Sequence, residues 1–217
     1  MKTPALCALF SLFIIAAAHA QLQWETQTVE LTSAAGDATA TAHFKFENTG
    51  STEVKIESAT PSCGCTSATV SGTNFAPHAK GEVTATFHVG QRNGLQQKEI
   101  LVRSNDPAHP ETMLTLKVHI PEVVRVTPTF LHWQRNDPLT PKQITVTVLN
   151  DYPVHNLTVI PSDPNFSTSV EAVNGGKEYR IIVTPPQSAE PKGALLTIGA
   201  DFPATNPKTY MVNLWVK

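Results

Sequence analysis

A period-two alternation of apolar and polar residues, recurring along almost the whole chain, is what most limits its fold. In Ala42-His43-Phe44-Lys45-Phe46-Glu47, the residues Ala42, Phe44 and Phe46 project to one side and His43, Lys45 and Glu47 to the other. Val83, Ala85, Phe87 and Val89 alternate with Glu82, Thr84, Thr86 and His88, and Leu114, Leu116, Val118 and Ile120 alternate with Thr115, Lys117 and His119. Each stretch is the pattern of an antiparallel strand with one buried and one solvated face. Turn signals such as Asn93-Gly94 and Asn105-Asp106-Pro107 break these runs at short intervals, and short strands at such spacing predict β-sandwiches.

Further strands are expected at Val123 to Thr127, Gln143 to Leu149, Leu157 to Ile160, Tyr179 to Thr184, Ala194 to Ile198 and Tyr210 to Val216. The fold class is therefore all-β, with two tandem immunoglobulin-like sandwiches, 21–121 and 122–217, following an N-terminal signal peptide. The two halves read as copies offset by about 100 residues, the size of one sandwich. Phe46-Glu47-Asn48 before Val54-Lys55-Ile56 parallels Val148-Leu149-Asn150 before Leu157-Thr158-Val159, and Asp106-Pro107 parallels Asp201-Phe202-Pro203.

Residues 1–20 read as the signal. Lys2 supplies a positive start, Leu6 to Ala18 an apolar run, and Ala18-His19-Ala20 a small-residue cleavage pattern. Export to the periplasm or the exterior is the expected address, and no later run of about eighteen apolar residues predicts membrane insertion. Cleavage removes Lys2, leaving 15 of the 16 basic residues against 18 acidic ones, a formal charge of −3. That balance gives no electrostatic footprint for nucleic acid.

Cys63 and Cys65 are then the only cysteines left. In an oxidising compartment a bridge is the default for so close a pair. Alternate residues of an extended strand lie about 6.5–7 Å apart, beyond the preferred disulfide spacing of about 5.5–6 Å. Gly64 would let the backbone curl, and the remaining strain would favour reduction. Four readings stay open: a structural disulfide, a thiol-redox pair, a soft-metal site suited to copper, and a buried reduced pair. For the metal, His78, His88 and His109 are the histidines expected near the loop. The second copy has Pro161-Ser162-Asp163-Pro164-Asn165 in place of Pro61-Ser62-Cys63-Gly64-Cys65, so such a sandwich forms without cysteine.

The run Phe44-x-Phe46-x-Asn48-Thr49-Gly50, then Val54-x-Ile56, then Ser62-Cys63-Gly64-Cys65-Thr66 resembles the bacterial domain-of-unknown-function family 1573. Further matches are the Pro77 to Gly81 turn and Ser104-Asn105-Asp106-Pro107, so that the resemblance covers residues 25 to 120. Within the turn, Pro77-His78-Ala79-Lys80-Gly81 departs from a simple Pro-Gly pattern. The resemblance implies an exported immunoglobulin-like module, related in shape to chaperone-like and cilia-associated sandwiches, and no particular activity.

No catalytic set accompanies the pair. Serines lack a G-x-S-x-G context, and the aspartates Asp37, Asp106, Asp137, Asp151 and Asp163 sit in turn-forming neighbourhoods. His43, His88 and His119 take polar strand positions, Gly175-Gly176 reads as a hairpin turn, and Trp24, Trp133 and Trp215 are expected in a core or an interdomain contact. The function expected is a non-enzymatic interaction module without cofactor, binding another envelope or secreted protein. A thiol-redox or copper-handling role through Cys63 and Cys65 is the alternative. A monomer is the default, since no dimer signature is present.

Overall fold

The computed structural model describes residues 19–134, 138–187 and 191–217. The signal-peptide assignment falls almost wholly on residues 1–18, and Asp137 also lies outside the described residues. The first half contains β1 (Leu22–Trp24), β2 (Thr28–Thr32), β3 (Thr39–Asn48), β4 (Val54–Pro61), β5 (Thr66–Val70), β6 (Asn74–Phe75), β7 (Lys80–His88), β8 (Gly94–Ser104) and β9 (Glu111–Ile120). The second contains β10 (Val124–Thr127), β11 (Phe130–Trp133), β12 (Lys142–Val148), β13 (Leu157–Pro161), β14 (Ser167–Val173), β15 (Glu178–Thr184), β16 (Lys192–Ala200) and β17 (Thr209–Val216). No helix among the described residues is long and apolar enough to cross a membrane.

The alternation closes two cores. Phe44, Phe46, Val83, Phe87, Ile100 and Leu116 fill one, and Trp133, Ile144, Phe166, Ile181, Leu196 and Val212 fill the other. The sheets run β1-β3-β7-β5 and β2-β9-β8-β4-β6 in the first half, and β10-β12-β15-β14 and β11-β17-β16-β13 in the second. Element for element this is one topology used twice, with β6 added to the first copy. In both copies an early strand pairs parallel with the last one, β2 with β9 and β11 with β17. Alternation alone predicts antiparallel pairing throughout. The parallel edge arises because each chain crosses between sheets after its first strand.

Two of the sequence motifs turn out to be scaffolding at one pole of the first sandwich. Asn48 is fully buried: its Nδ2 donates to Thr52 O and Phe75 O, and its Oδ1 accepts from Gly50 N. A Cβ at Gly50 would lie 2.2 Å from His19 O, so only glycine lets the strand pass. Asp106, also fully buried, accepts from the backbone N–H groups of Leu22, Ala108 and His109. Its counterpart Asp201 accepts from those of His155 and Asn156.

The opposite pole carries the β2–β3 and β7–β8 loops and meets the second sandwich. Asn206 Nδ2 donates to Asp37 O (3.0 Å), Gln91 Nε2 to Pro207 O (3.1 Å), Thr209 N to Gln91 Oε1 (2.9 Å), and Lys208 Nζ to Gly90 O.

Candidate functional site

The Cys-Gly-Cys segment is the β4–β5 turn at this second pole. As the chain leaves β4, Ser62 N donates to Glu99 O (2.9 Å), and Glu99 N donates back to Ser62 Oγ (3.3 Å). Thr66 N donates to Cys63 O (3.3 Å), closing the turn, and His88 N donates to Cys65 O (2.9 Å), tying it to the end of β7. Cys63 and Cys65 are joined in a disulfide with their Cα atoms 5.3 Å apart. The extended-strand spacing expected from sequence does not apply, because these residues occupy a turn, and the separation lies inside the usual disulfide range.

Thr66 is the neighbour that sequence reasoning missed. It is 7% exposed, and its Oγ1 stands 3.7 Å from Cys63 Sγ and 4.0 Å from Cys65 Sγ. Those two sulfurs are its hydroxyl's only hydrogen-bond partners among the described residues. Both cysteines are half-buried, with Cys65 packed against the core. Phe87, the register partner of Thr66, carries Lys98 Nζ 5.4 Å and Arg92 Cζ 5.6 Å from its ring centroid. Neither cation forms an ion pair with a carboxylate among the described residues. The neighbouring Lys208 is almost fully buried. Its ammonium is held below its ordinary pKa by that burial and then by Arg92. The pole therefore gathers three cations, Arg92, Lys98 and Lys208, from residues far away in sequence.

The second copy makes the same turn without sulfur. Ser162 N donates to Leu195 O (2.8 Å), Leu195 N to Ser162 Oγ (2.9 Å), and Phe166 N to Asp163 O (3.1 Å). Where the bridge would be, Asn165 N and Nδ2 both donate to Asp163 Oδ1, at 2.9 and 2.6 Å. The bond from the Asn165 N–H is the main cause of an Asp163 pKa below the ordinary aspartate value. Pro164 stands where Gly64 does, which corrects the role expected for that glycine. The φ of Gly64 lies outside the left-handed region, and nothing is within 4 Å of the place a Cβ would take. The turn therefore does not need glycine's conformational freedom.

Of the three histidines expected near the loop, only His88 is there. His78 N bonds Asn48 O and His109 N bonds Asp106 Oδ1, both at the far pole. His43 and His119 lie on exposed sheet faces, each against a glutamate, Glu82 and Glu30. Among the described residues no three His, Cys, Asp or Glu side chains are grouped to hold a metal ion. With the sulfurs bonded to each other, a soft ion such as copper would first require reduction of the pair.

A second feature lies on the C-terminal sandwich. Trp24 and Trp133 are core residues as expected, but Trp215 is 43% exposed. It is out of phase with Val212, Leu214 and Val216, which point inward. Its ring lies across Gly193, where a Cβ would come within 2.6 Å of it. With Phe130, Leu195 and Asn213 it lines an open cleft of about 540 Å³. Ile160 and Met211, 64% and 57% exposed, stand on the outer faces of β13 and β17 in the same sheet.

Residues 22–120 match the family model described as "Protein of unknown function (DUF1573)". Comparison with curated proteins finds no match. Among solved structures the chain is similar to a protein of unknown function from Porphyromonas gingivalis W83, at 11% identity over 90% of this chain and 99% of that one, with a TM-score of 0.35. It is also similar to PapD-like domain 7 of human CEP192, at 15% identity over 55% of this chain and 99% of that one, with a TM-score of 0.37.

Proposed function

We propose that this chain, whose N-terminal sandwich matches the DUF1573 family, is an exported, non-enzymatic interaction module that docks another envelope or secreted protein. The observation that carries this reading is the apolar outer face of the β11-β17-β16-β13 sheet, with Phe130, Ile160, Met211 and Trp215 all more than two-fifths exposed. Exposed apolar side chains around a cleft, as Phe130 and Trp215 are here, mark a docking site, and aromatic side chains dominate binding energy at such sites. The face ends at β13, an edge strand that bonds to β16 on one side. An extended partner segment has backbone groups there to pair with, while its side chains reach the cleft.

The test is capture of envelope proteins by the immobilised full chain and by a Phe130→Ala/Trp215→Ala variant. A specific partner is expected on the wild-type chain, with retention falling by about tenfold or more in the variant and the circular dichroism spectrum unchanged. No specific partner, or equal retention by the variant, would overturn the reading.

A further inference from the structure

We propose that Cys63–Cys65 is a thiol–disulfide exchange site that takes two electrons from a protein dithiol, with Thr66 donating its hydroxyl hydrogen to the departing thiolate. Three observations converge on it. The second copy closes the same turn with Asp163 and Asn165, so the backbone path does not depend on the covalent bond, and a reduced turn retains the hydrogen bonds made by Ser62 and Thr66. The bridge is open to approach, because Cys63 and Cys65 are both partly exposed. Finally, Thr66 is a buried residue, and among the described residues its hydroxyl has only the two disulfide sulfurs as hydrogen-bond partners. Disulfide sulfur is a weak acceptor, and a hydroxyl so placed is poorly satisfied. A thiolate at either position converts that contact into a charge-assisted hydrogen bond. At the corresponding place the second copy has Phe166, an apolar core residue. The hydroxyl therefore accompanies the sulfurs and is not a requirement of the fold.

Electrons and atoms balance as follows. A thiolate of the partner dithiol attacks one sulfur, forming a mixed disulfide and expelling the other cysteine as a thiolate bonded to Thr66. The partner's second thiol, on losing its proton, attacks the mixed disulfide and releases the remaining cysteine. The partner leaves as a disulfide, and Cys63 and Cys65 take up two protons as free thiols. Lys98 and Arg92 stand over the ring of Phe87, the register partner of Thr66, with Glu99 on the strand facing Ser62. This chemistry needs only the N-terminal turn and is independent of the docking face on the other sandwich.

The full chain, its Thr66→Val variant and its Thr66→Ser variant are reacted with reduced dithiothreitol and sampled over time. The reduced fraction is read by alkylation and mass spectrometry, and the fold by near-ultraviolet circular dichroism. The wild-type pair is expected to reduce with the sandwich intact. Thr66→Val lowers the rate constant for reduction about tenfold, and Thr66→Ser restores it to within about twofold, the effect of one hydrogen bond to a charged group. Reduction only on unfolding, or a Thr66→Val constant equal to wild type, would overturn the proposal. Should Thr66→Val not fold, the ultraviolet thiolate absorbance of the reduced wild-type chain decides. A cysteine titrating below the free value of about 8.5 supports the site, and one at or above that value overturns it.

Discussion

The β4–β5 turn and its twin between β13 and β14 share a backbone and differ in their lock. Pro61 pairs with Ile100 in the first copy and Pro161 with Leu196 in the second, and the serine after each proline exchanges the same two hydrogen bonds with the facing strand. One lock is a disulfide and the other a carboxylate accepting two N–H bonds. Since the carboxylate version suffices, the disulfide contributes something the turn does not require. A three-residue loop loses little entropy on cross-linking, so the bridge contributes only about 1.6 kcal/mol by the chain-entropy relation. What distinguishes the first turn is the chemistry around it: the Thr66 hydroxyl against the sulfurs, the Lys98 and Arg92 charges, and the partial exposure of the bridge.

The largest expected effect tests whether the two regions are separate cores at all. Phe44→Ala and Trp133→Ala should each cost about 3–5 kcal/mol. Each should lower one of two calorimetric transitions and leave the other in place; a single transition moving with either variant would show the two copies to be one cooperative unit. A smaller effect is expected from Cys63→Ala/Cys65→Ala, a loss of about 1.6 kcal/mol in urea unfolding followed by fluorescence. A loss above about 4 kcal/mol would make the bridge a folding device and break the comparison between the turns.

The smallest effect is one of pH. Asp163 sits below the ordinary aspartate value of 3.8, mainly through the Asn165 N–H. For Asp201, burial acts to raise the pKa, but the N–H groups of His155 and Asn156 outweigh it and the net shift is downward. A depressed carboxyl pKa contributes stability that is complete above the unfolded value and lost as pH falls through the folded one. Hydrogen exchange at Asn165 and Phe166 should therefore lose protection below about pH 4, while Thr66, whose N–H bonds Cys63 O, keeps its own because a disulfide does not titrate. Equal loss at both turns would mean that acid acts on something they share.

Much of this was legible in the residues. Alternation within Ala42 to Glu47, Val83 to Val89 and Leu114 to Ile120 corresponds to β3, β7 and β9, because a strand with one wet face writes its period directly into sequence. The same rule, applied within β17, puts Trp215 on the outside, against the general expectation that tryptophan is buried. Strands that alternate weakly were harder to read: β14 is nearly all exposed, and β5 and β6 are short.

The sequence by itself determined an all-β chain, a repeated unit, and a cysteine pair whose twin position lacks sulfur, all of which are local patterns with a fixed period or spacing. Only the tertiary structure decided what surrounds that pair. Strand register brings Lys98, Phe87, Arg92 and Lys208 to one pole and sends His78 and His109 to the other. It turns the Thr66 hydroxyl toward the sulfurs and makes a platform of Phe130 and Trp215, which stand 85 positions apart. Register is set by which apolar faces must be buried together across the whole sandwich, and no local stretch of sequence contains that information.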